Sequence, residues 1–575
     1  MGALNSRRLI MLDEEEVSWL DQSEDTSEYS ESDESEIDRE NELVHELRTR
    51  SRNRDYDGTT HFVAMLHNLI SRGGLMIDNS DDHDEAPMNR KPPKIKYKID
   101  TSALDHSEFS LLTRRDCGLL GHTPKSTTVN HVISLLRSRE YGFQEQSKFS
   151  AGTKNKITSW YLPNEMVSSI EHSTGKVFCG IFSADGNTFL TASQGKTVPQ
   201  EVALLFSLPL ANLSYVSDRY IRIYDSRDCT YKMLKSIKAR DVGWSLIDVA
   251  FSPDGEQCVY STWSTNIHMC QVSGDSDRQE PFTLTSANRR FCVFSVVYSS
   301  DGKELVCGAN NGCLYTYDIQ RTTCTSRIEA HEYDTNRVLF ADDTSQIIYS
   351  GGDDGLVKVW DRRTLRERNV KPVGVLAGHM DGITYIDSRG DARHLISNSK
   401  DQSIKLWDLR LFSNRDAVSE SLKAVRSQRW DYRWQGVPKE LYEDNKLDGD
   451  TSLMTYRGHV VSKTLIRARF SPVSSTGQRF IYTGCSLGRF VVYDALTGKI
   501  VSQRKGHMSC VRDVAWHPTR NEIVTSAWDG IVAQWRYSNV VSLNTKKEAK
   551  TPLRRSARLA AMKRRQMRES TSSEN

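Results

Sequence analysis

The sequence predicts an all-β fold, a seven-bladed β-propeller with a partly helical N-terminal arm and charged tails at both ends. Three observations predict it. From about residue 157 apolar and polar residues alternate, with turn signals every eight to twelve residues. Seven units recur, their third strands ending at Tyr224, Cys270, Tyr317, Trp360, Trp407, Tyr493 and Trp535. Two adjacent units are almost regular: IIYSGGDDGLVKVWDRR and LISNSKDQSIKLWDLR place Trp360 and Trp407 47 residues apart, the length of one four-stranded blade.

Each unit opens on an apolar strand that runs into a polar or Asp-Gly turn, as in VFCGIFSADG, LIDVAFSPDG and VFSVVYSSDG. Seven blades close a ring, and closure removes exposed strand edges. The last unit ends near Tyr537 and the first lacks an outer strand before it. Ile157–Leu162 (ITSWYL) is the predicted closing strand. The second and third units, which lack both His and Trp, are predicted to be the softer part of the ring.

Gly-His pairs at 378–379, 458–459 and 506–507 precede three units, and His331 stands in an Ala-His pair. With the Trp-Asp strand ends these pairs resemble WD40 repeats, and the resemblance implies that the His bonds the Asp of a tight turn and reaches the strand Trp through a Ser or Thr. That predicts His379 with Asp401, Ser399 and Trp407, and His507 with Asp529 and Trp535. These are framework residues, each bond worth about 1 kcal/mol net.

The flanks are compositionally distinct. Overall charge is +2, yet Asp13 to Glu42 holds fifteen acids against one Arg, and Lys546 to Arg568 ten bases against one Glu. Residues 1–60 therefore read as a disordered acidic tail, whose serines beside acids suit acidophilic kinases, and 541–575 as a disordered basic one. Arg554, Arg555, Lys563, Arg564 and Arg565 are spaced like a nuclear-import signal, which predicts a protein of nucleus and cytoplasm. Met1-Gly2-Ala3-Leu4-Asn5-Ser6 matches the myristoylation pattern and makes Gly2 a candidate lipidation site. Residues 61–150 form an arm with short helices predicted at 61–70 and 129–141, and the propeller occupies 151–540.

Two insertions interrupt the ring. Excising 195–217 would join TASQ to DRYIRIYD and restore an ordinary blade, so this segment reads as an addition, as by alternative splicing. Residues 411–455 contain QRWDYRWQGVP, read as an ordered surface loop with Trp430 and Trp434 packed on the ring or on a partner.

Enzyme-like motifs lack their context. Gly484-Cys485-Ser486-Leu487-Gly488 fits a nucleophile elbow but falls in a turn between strands. Gly195-Lys196-Thr197 resembles a phosphate loop without the glycine five residues upstream, where Leu190 stands. Eleven cysteines show no CxxC pair, which suggests neither zinc nor a disulfide framework. No cofactor is expected, nor a transmembrane segment: the apolar stretch 202–216 is broken by Pro209.

The boxes ending Trp360-Asp361-Arg362-Arg363 and Trp407-Asp408-Leu409-Arg410 resemble the double WD-x-Arg box of WD40 substrate receptors of cullin-4 RING ubiquitin ligases. Tyr224-Asp225-Ser226-Arg227 is a weaker third match. The resemblance implies that Arg363, Arg410 and more weakly Arg227 contact a damaged-DNA-binding-type adaptor that bridges to the cullin-4 core. The order of acidic start, arm, seven units, RWDYRWQGVP insertion and TSAWDGIVAQW close is similar to cullin-4-associated factors of animals and plants over residues 60–540, departing at 195–217. It implies a non-catalytic receptor for ubiquitination, with a cap'n'collar bZIP transcription factor of the oxidative stress response as substrate. The alternative is a scaffold for a chromatin or RNA-associated complex.

Overall fold

The structure, a computed structural model, describes residues 97–119, 136, 140, 149–173, 175–197, 216–274, 276–285, 291–367, 370–443 and 446–539. The expectations for the acidic tail, Gly2, the 61–70 helix and the basic tail fall outside these. Of the 129–141 segment only residues 136 and 140 are described, both helical.

Among the described residues twenty-eight strands form seven four-stranded antiparallel sheets, each a meander of neighbours in sequence except the last. First strands of consecutive blades pack on one another from blade one to blade six, that of blade seven (Val511–Trp516) packs on the second strand of blade six (Phe480–Cys485), and that of blade one (Lys176–Phe182) also meets that of blade seven, closing the ring. The closing strand is not Ile157–Leu162. Residues Ala151–Thr158 form a helix capped by Ser150, whose hydroxyl accepts from Thr153 N. The outer strand of blade seven is instead Glu165–His172, antiparallel to Ile531–Arg536. Pro163, which has no N–H to give a ladder, separates the two, and Leu162 packs against the blade-seven core. The first propeller strand thus begins at Glu165.

Three helices described end to end precede the ring: α1 (Ser102–Asp105), α2 (Glu108–Asp116) and α3 (Ala151–Thr158). Leu104 and Phe109 are fully buried in a cluster with Ile404, Leu406, Tyr456, Phe470 and Tyr493 of blades five and six. Sequence periodicity at 61–70 and 129–141 pointed elsewhere. The usable signal for α2 was Ser107 ahead of Glu108, a helix start whose hydroxyl accepts from Ser110 N at 3.2 Å.

The first insertion lengthens a hairpin. Strand Thr188–Thr197 pairs with Val216–Asp225 out to Thr197 opposite Val216, so Gly195-Lys196-Thr197 is strand, not a phosphate loop. The second carries helix α4 (Arg415–Ser427), capped by Asn414 and burying Ala417, Ser421 and Val425 at intervals of four. The 411–455 segment was expected as a loop; that spacing was its legible sign. Beyond α4, Trp430 Nε1 donates to Asp381 Oδ2 at 2.9 Å and Lys400 lies 4.1 Å over Tyr432, while Trp434 is exposed. Burial pushes the Asp381 carboxyl up to about 6.

Six blades share one irregularity. In the first strand of blades one to five and seven the register slips across one residue: Phe178, Ile247, Phe294, Asn336, Thr384 or Arg512. Such a bulge re-aims the following side chain. The residues after the slip are Cys179, Asp248, Ser295, Arg337, Tyr385 and Asp513, and blade six supplies Arg467 just ahead of its first strand (Ala468–Phe470). These seven meet across the axis. Arg467 donates to Asp248 of blade two at 2.6 Å, to Asp513 of blade seven at 3.1 Å and to Cys179 Sγ of blade one at 3.2 Å. Arg337 donates to Asp248 at 3.2 Å and to Ser295 at 3.1 Å.

His459 is buried with Asn398 Oδ1 at 2.9 Å from Nε2 and the Tyr493 hydroxyl at 3.0 Å from Nδ1. Burial lowers its pKa to about 3. The unfolded imidazole takes a proton near 6.5 that the folded one refuses, so this contribution is complete above 6.5 and lost as pH falls toward 3. Thermal midpoints recorded from pH 7 to 4 should fall less steeply for His459→Gln than for wild type; parallel slopes would contradict the assignment. Deleting 165–172 leaves the Ile531–Arg536 edge unpaired, and should lower the thermal midpoint and promote association by light scattering. An unchanged midpoint would show that the ring is closed otherwise.

Candidate functional site

The framework around the two Trp-Asp boxes comes first. His379 Nδ1 donates to Asp401 at 2.8 Å, and its Nε2 meets Ser397 Oγ at 2.6 Å. The same hydroxyl accepts from Trp407 Nε1 at 2.7 Å. The linking serine is therefore Ser397, not Ser399. The register of the partner strand explains the correction: Ser397 pairs with Lys405, two before Trp407 and within reach of its indole, whereas Ser399 Oγ donates to Asp381 O at the strand end. Blade four repeats the relay through His331, Asp354, Ser350 and Trp360, and blade seven through His507, Asp529, Thr525 and Trp535. His459 departs from it.

These relays hold the third strands rigid up to their ends, where the box arginines emerge. Third strands of all blades run the same way through the ring, so Arg227, Arg363 and Arg410 lie on one face, with the turns between first and second strands. Asp361 accepts from Arg363 N at 2.9 Å and from its Nε and Nη2 at 3.0 and 2.6 Å. The side chain is thereby pinned while 76% exposed. The guanidinium beside it holds the Asp361 carboxyl at about 2. Arg227 grips Asp225 in the same way, with Nη2 at 2.5 Å, and Asp225 also sits at about 2. So does Arg433 on Asp431 in the insertion, but there the arginine is mostly covered.

Arg410 differs. Its N–H donates to Asp408 at 3.0 Å, but the Asp408 carboxylate is taken by Arg393 at 2.9 and 2.6 Å. Arg410 Nη1 turns to Glu108 of α2 at 3.3 Å, and the side chain stays 69% exposed. Arg393 also donates to Glu108, which lowers that carboxyl below its usual range. The arm is seated nearby by Asp116 on Arg389 at 3.1 Å and by Phe109, 5.0 Å under the same guanidinium. Glu108 and α2 are thus part of the surface around Arg410.

Beside Arg363 a groove of about 240 Å³ opens between blades three and four, lined by Glu304, Thr316, Arg362, Arg363 and Arg366. Arg362 occupies Glu304 at 2.8 Å. Among the described residues no group of three or more His, Cys, Asp or Glu could hold a metal, and no helix is long and apolar enough to cross a membrane. Ser486 is buried in a turn whose backbone N–H donates to Val460 O, a setting without the helix a nucleophile elbow needs. None of the eleven cysteines is in a disulfide.

Comparison with known proteins agrees with this architecture. The WD domain, G-beta repeat family matches residues 322–361, 370–408 and 498–536. The DDB1- and CUL4-associated factor 11 homolog of Caenorhabditis elegans is 40% identical over 427 residues, 72% of this chain and 70% of the relative. The chain belongs to the DDB1- and CUL4-associated factor 11 family. The Caenorhabditis briggsae homolog is 36% identical, covering 72% of each chain. A LEC14B homolog of Prunus armeniaca is 37% identical over 72% of this chain and 83% of its own length.

Replacing Ser397 with Ala strands a buried indole N–H and an imidazole nitrogen, and should cost about 2–3 kcal/mol in urea unfolding. Ser399→Ala should cost about 1 kcal/mol. The reverse ranking would restore Ser399 to the relay.

Proposed function

We propose that this protein is a non-catalytic substrate receptor of a cullin-4 RING ubiquitin ligase. In this reading the ring docks on the damaged-DNA-binding-type adaptor through Arg363 and Arg410 and presents a protein for ubiquitination and degradation. The observation that carries it is the pair of exposed arginines on adjacent blades of one face, each mounted on a buried Trp relay. Neither guanidinium is needed to hold its blade. Arg363 is also preorganised: Asp361 fixes it through Nε and Nη2, leaving Nη1 to a partner at little further loss of side-chain entropy. The names of the nematode relatives support the ligase assignment. A cap'n'collar bZIP transcription factor as substrate, and shuttling between nucleus and cytoplasm through the 554–565 cluster, belong to the same proposal and rest on the sequence resemblance and the basic tail.

The test is affinity purification of the full chain from cells with and without Arg363→Ala plus Arg410→Ala. Adaptor and cullin recovery should drop at least tenfold, since buried interface arginines are each worth about 2 kcal/mol or more. The thermal midpoint should hold, because both side chains are exposed. Undiminished recovery would rule the docking mode out. A scaffold bound to nucleic acid by the basic tail would instead show steeply salt-dependent binding that removal of 541–575 abolishes.

A further inference from the structure

On the face opposite the box arginines, the axial ring forms the floor of a small pocket lined by Asp248, Phe294, Arg337, Tyr385, Arg467 and Arg512, with Leu465 at its edge. Its charges do not balance. Four guanidinium groups converge, those of Arg337, Arg467, Arg469 and Arg512, against three carboxylates, Asp248, Asp513 and Asp387. Burial pushes the pKa of Asp387 up, which weakens the third of these as a counter-charge. Arg512 is buried and its hydrogen bonds go to neutral groups: Phe178 O, Ile247 O, Thr464 Oγ1 and Cys179 Sγ. Arg337 uses Nη1 for Asp248 and Ser295, while its Nε is buried without a hydrogen-bond partner among the described residues. A cation excess held out of water with a spare donor is costly to leave unmatched.

Aromatic side chains rim the same mouth. Phe178 lies 5.8 Å from Trp528 and 6.2 Å from Trp244; Trp244 and Trp263, and then Trp263 and Phe294, are each 6.2 Å apart. This arc spans blades seven, one, two and three. The pocket floor has a cavity of only about 10 Å³, space for one water-sized group, which suits the edge of a planar carboxylate better than a tetrahedral phosphate.

We infer that this mouth is a peptide-recognition site in which Arg337, with Arg512 behind it, receives a peptide carboxylate while apolar neighbours of that acid pack on the aromatic arc. A guanidinium bonds a carboxylate oxygen with charge assistance, and one such oxygen fits the space of a single water. The inference extends the receptor reading to what is received, yet its test needs no adaptor, so either can fail alone.

The probes are three randomised nonapeptide pools with acidic residues excluded from the variable positions. One carries a fixed central Asp and an amidated C-terminus, one a central Asn and an amidated C-terminus, one a central Asn and a free C-terminus. Each is passed over immobilised full-length protein. Retention of the Asp pool at least tenfold over the amidated Asn pool identifies a side-chain carboxylate; preferential retention of the free-terminus pool identifies a chain end. Arg337→Gln should abolish the preference. Should that variant unfold, Leu465→Glu, which places a carboxylate at the pocket while leaving Arg337 intact, should abolish it with the thermal midpoint retained. Equal retention of all three pools, a preference that survives both changes, or inorganic phosphate competing as well as the acidic peptide would overturn the assignment.

Discussion

The ring depends on the charged contacts at its axis. Arg467 reaches Asp248 and Asp513 from blade six, tying together blades that lie hundreds of residues apart in sequence. Buried ion pairs contribute little net stability, because desolvation offsets their attraction, but breaking one strands a charge. Their consequence here is register. A first strand that slipped by one residue would withdraw its ring member and offer the bulged residue instead. The bulge that aims each member recurs in six blades at the same position, and this is what lets Cys179, Asp248, Ser295, Arg337, Tyr385 and Asp513 meet Arg467.

The His–Asp–Ser/Thr–Trp relays do the corresponding work at the outer strands. They appear where the sequence is most regular, in blades four, five and seven. Blade two lacks them and substitutes other buried chemistry, with Tyr260 stacked on His268 at 5.2 Å. The two box arginines therefore rise from adjacent blades of similar internal wiring, yet their surroundings differ. Arg363 is held by its own Asp361. Arg410 has lost its Asp408 to Arg393 and shares Glu108 with it, so a partner contacting Arg410 also contacts the arm.

Much of this was legible from local patterns. Alternation and unit length give seven blades, and Gly-His with Trp-Asp gives His379, Asp401 and Trp407 and His507, Asp529 and Trp535, but neither Ser397 nor Thr525 that links them nor the relay of His331. Ser397 and Ser399 both face the same side of one strand in sequence, and only the partner strand's register decides between them. The closing strand was misplaced because ITSWYL is more apolar than Glu165–His172, whose pairing comes from its neighbour and not from its own composition. Helix α2 and the axial ring were missed for a shared reason. Phe109, Arg337 and Arg467 are ordinary residues in their own windows, and they acquire meaning from contacts with blades far along the chain.

The two faces of the ring make different predictions about partners, and hydrogen exchange of the full chain with and without the purified adaptor separates them. Docking through the box arginines requires slowed exchange at 361–366, 408–412 and α2, with the segments around Lys400, Trp434 and Ser486 on the opposite face unchanged. Protection confined to those latter segments would contradict it.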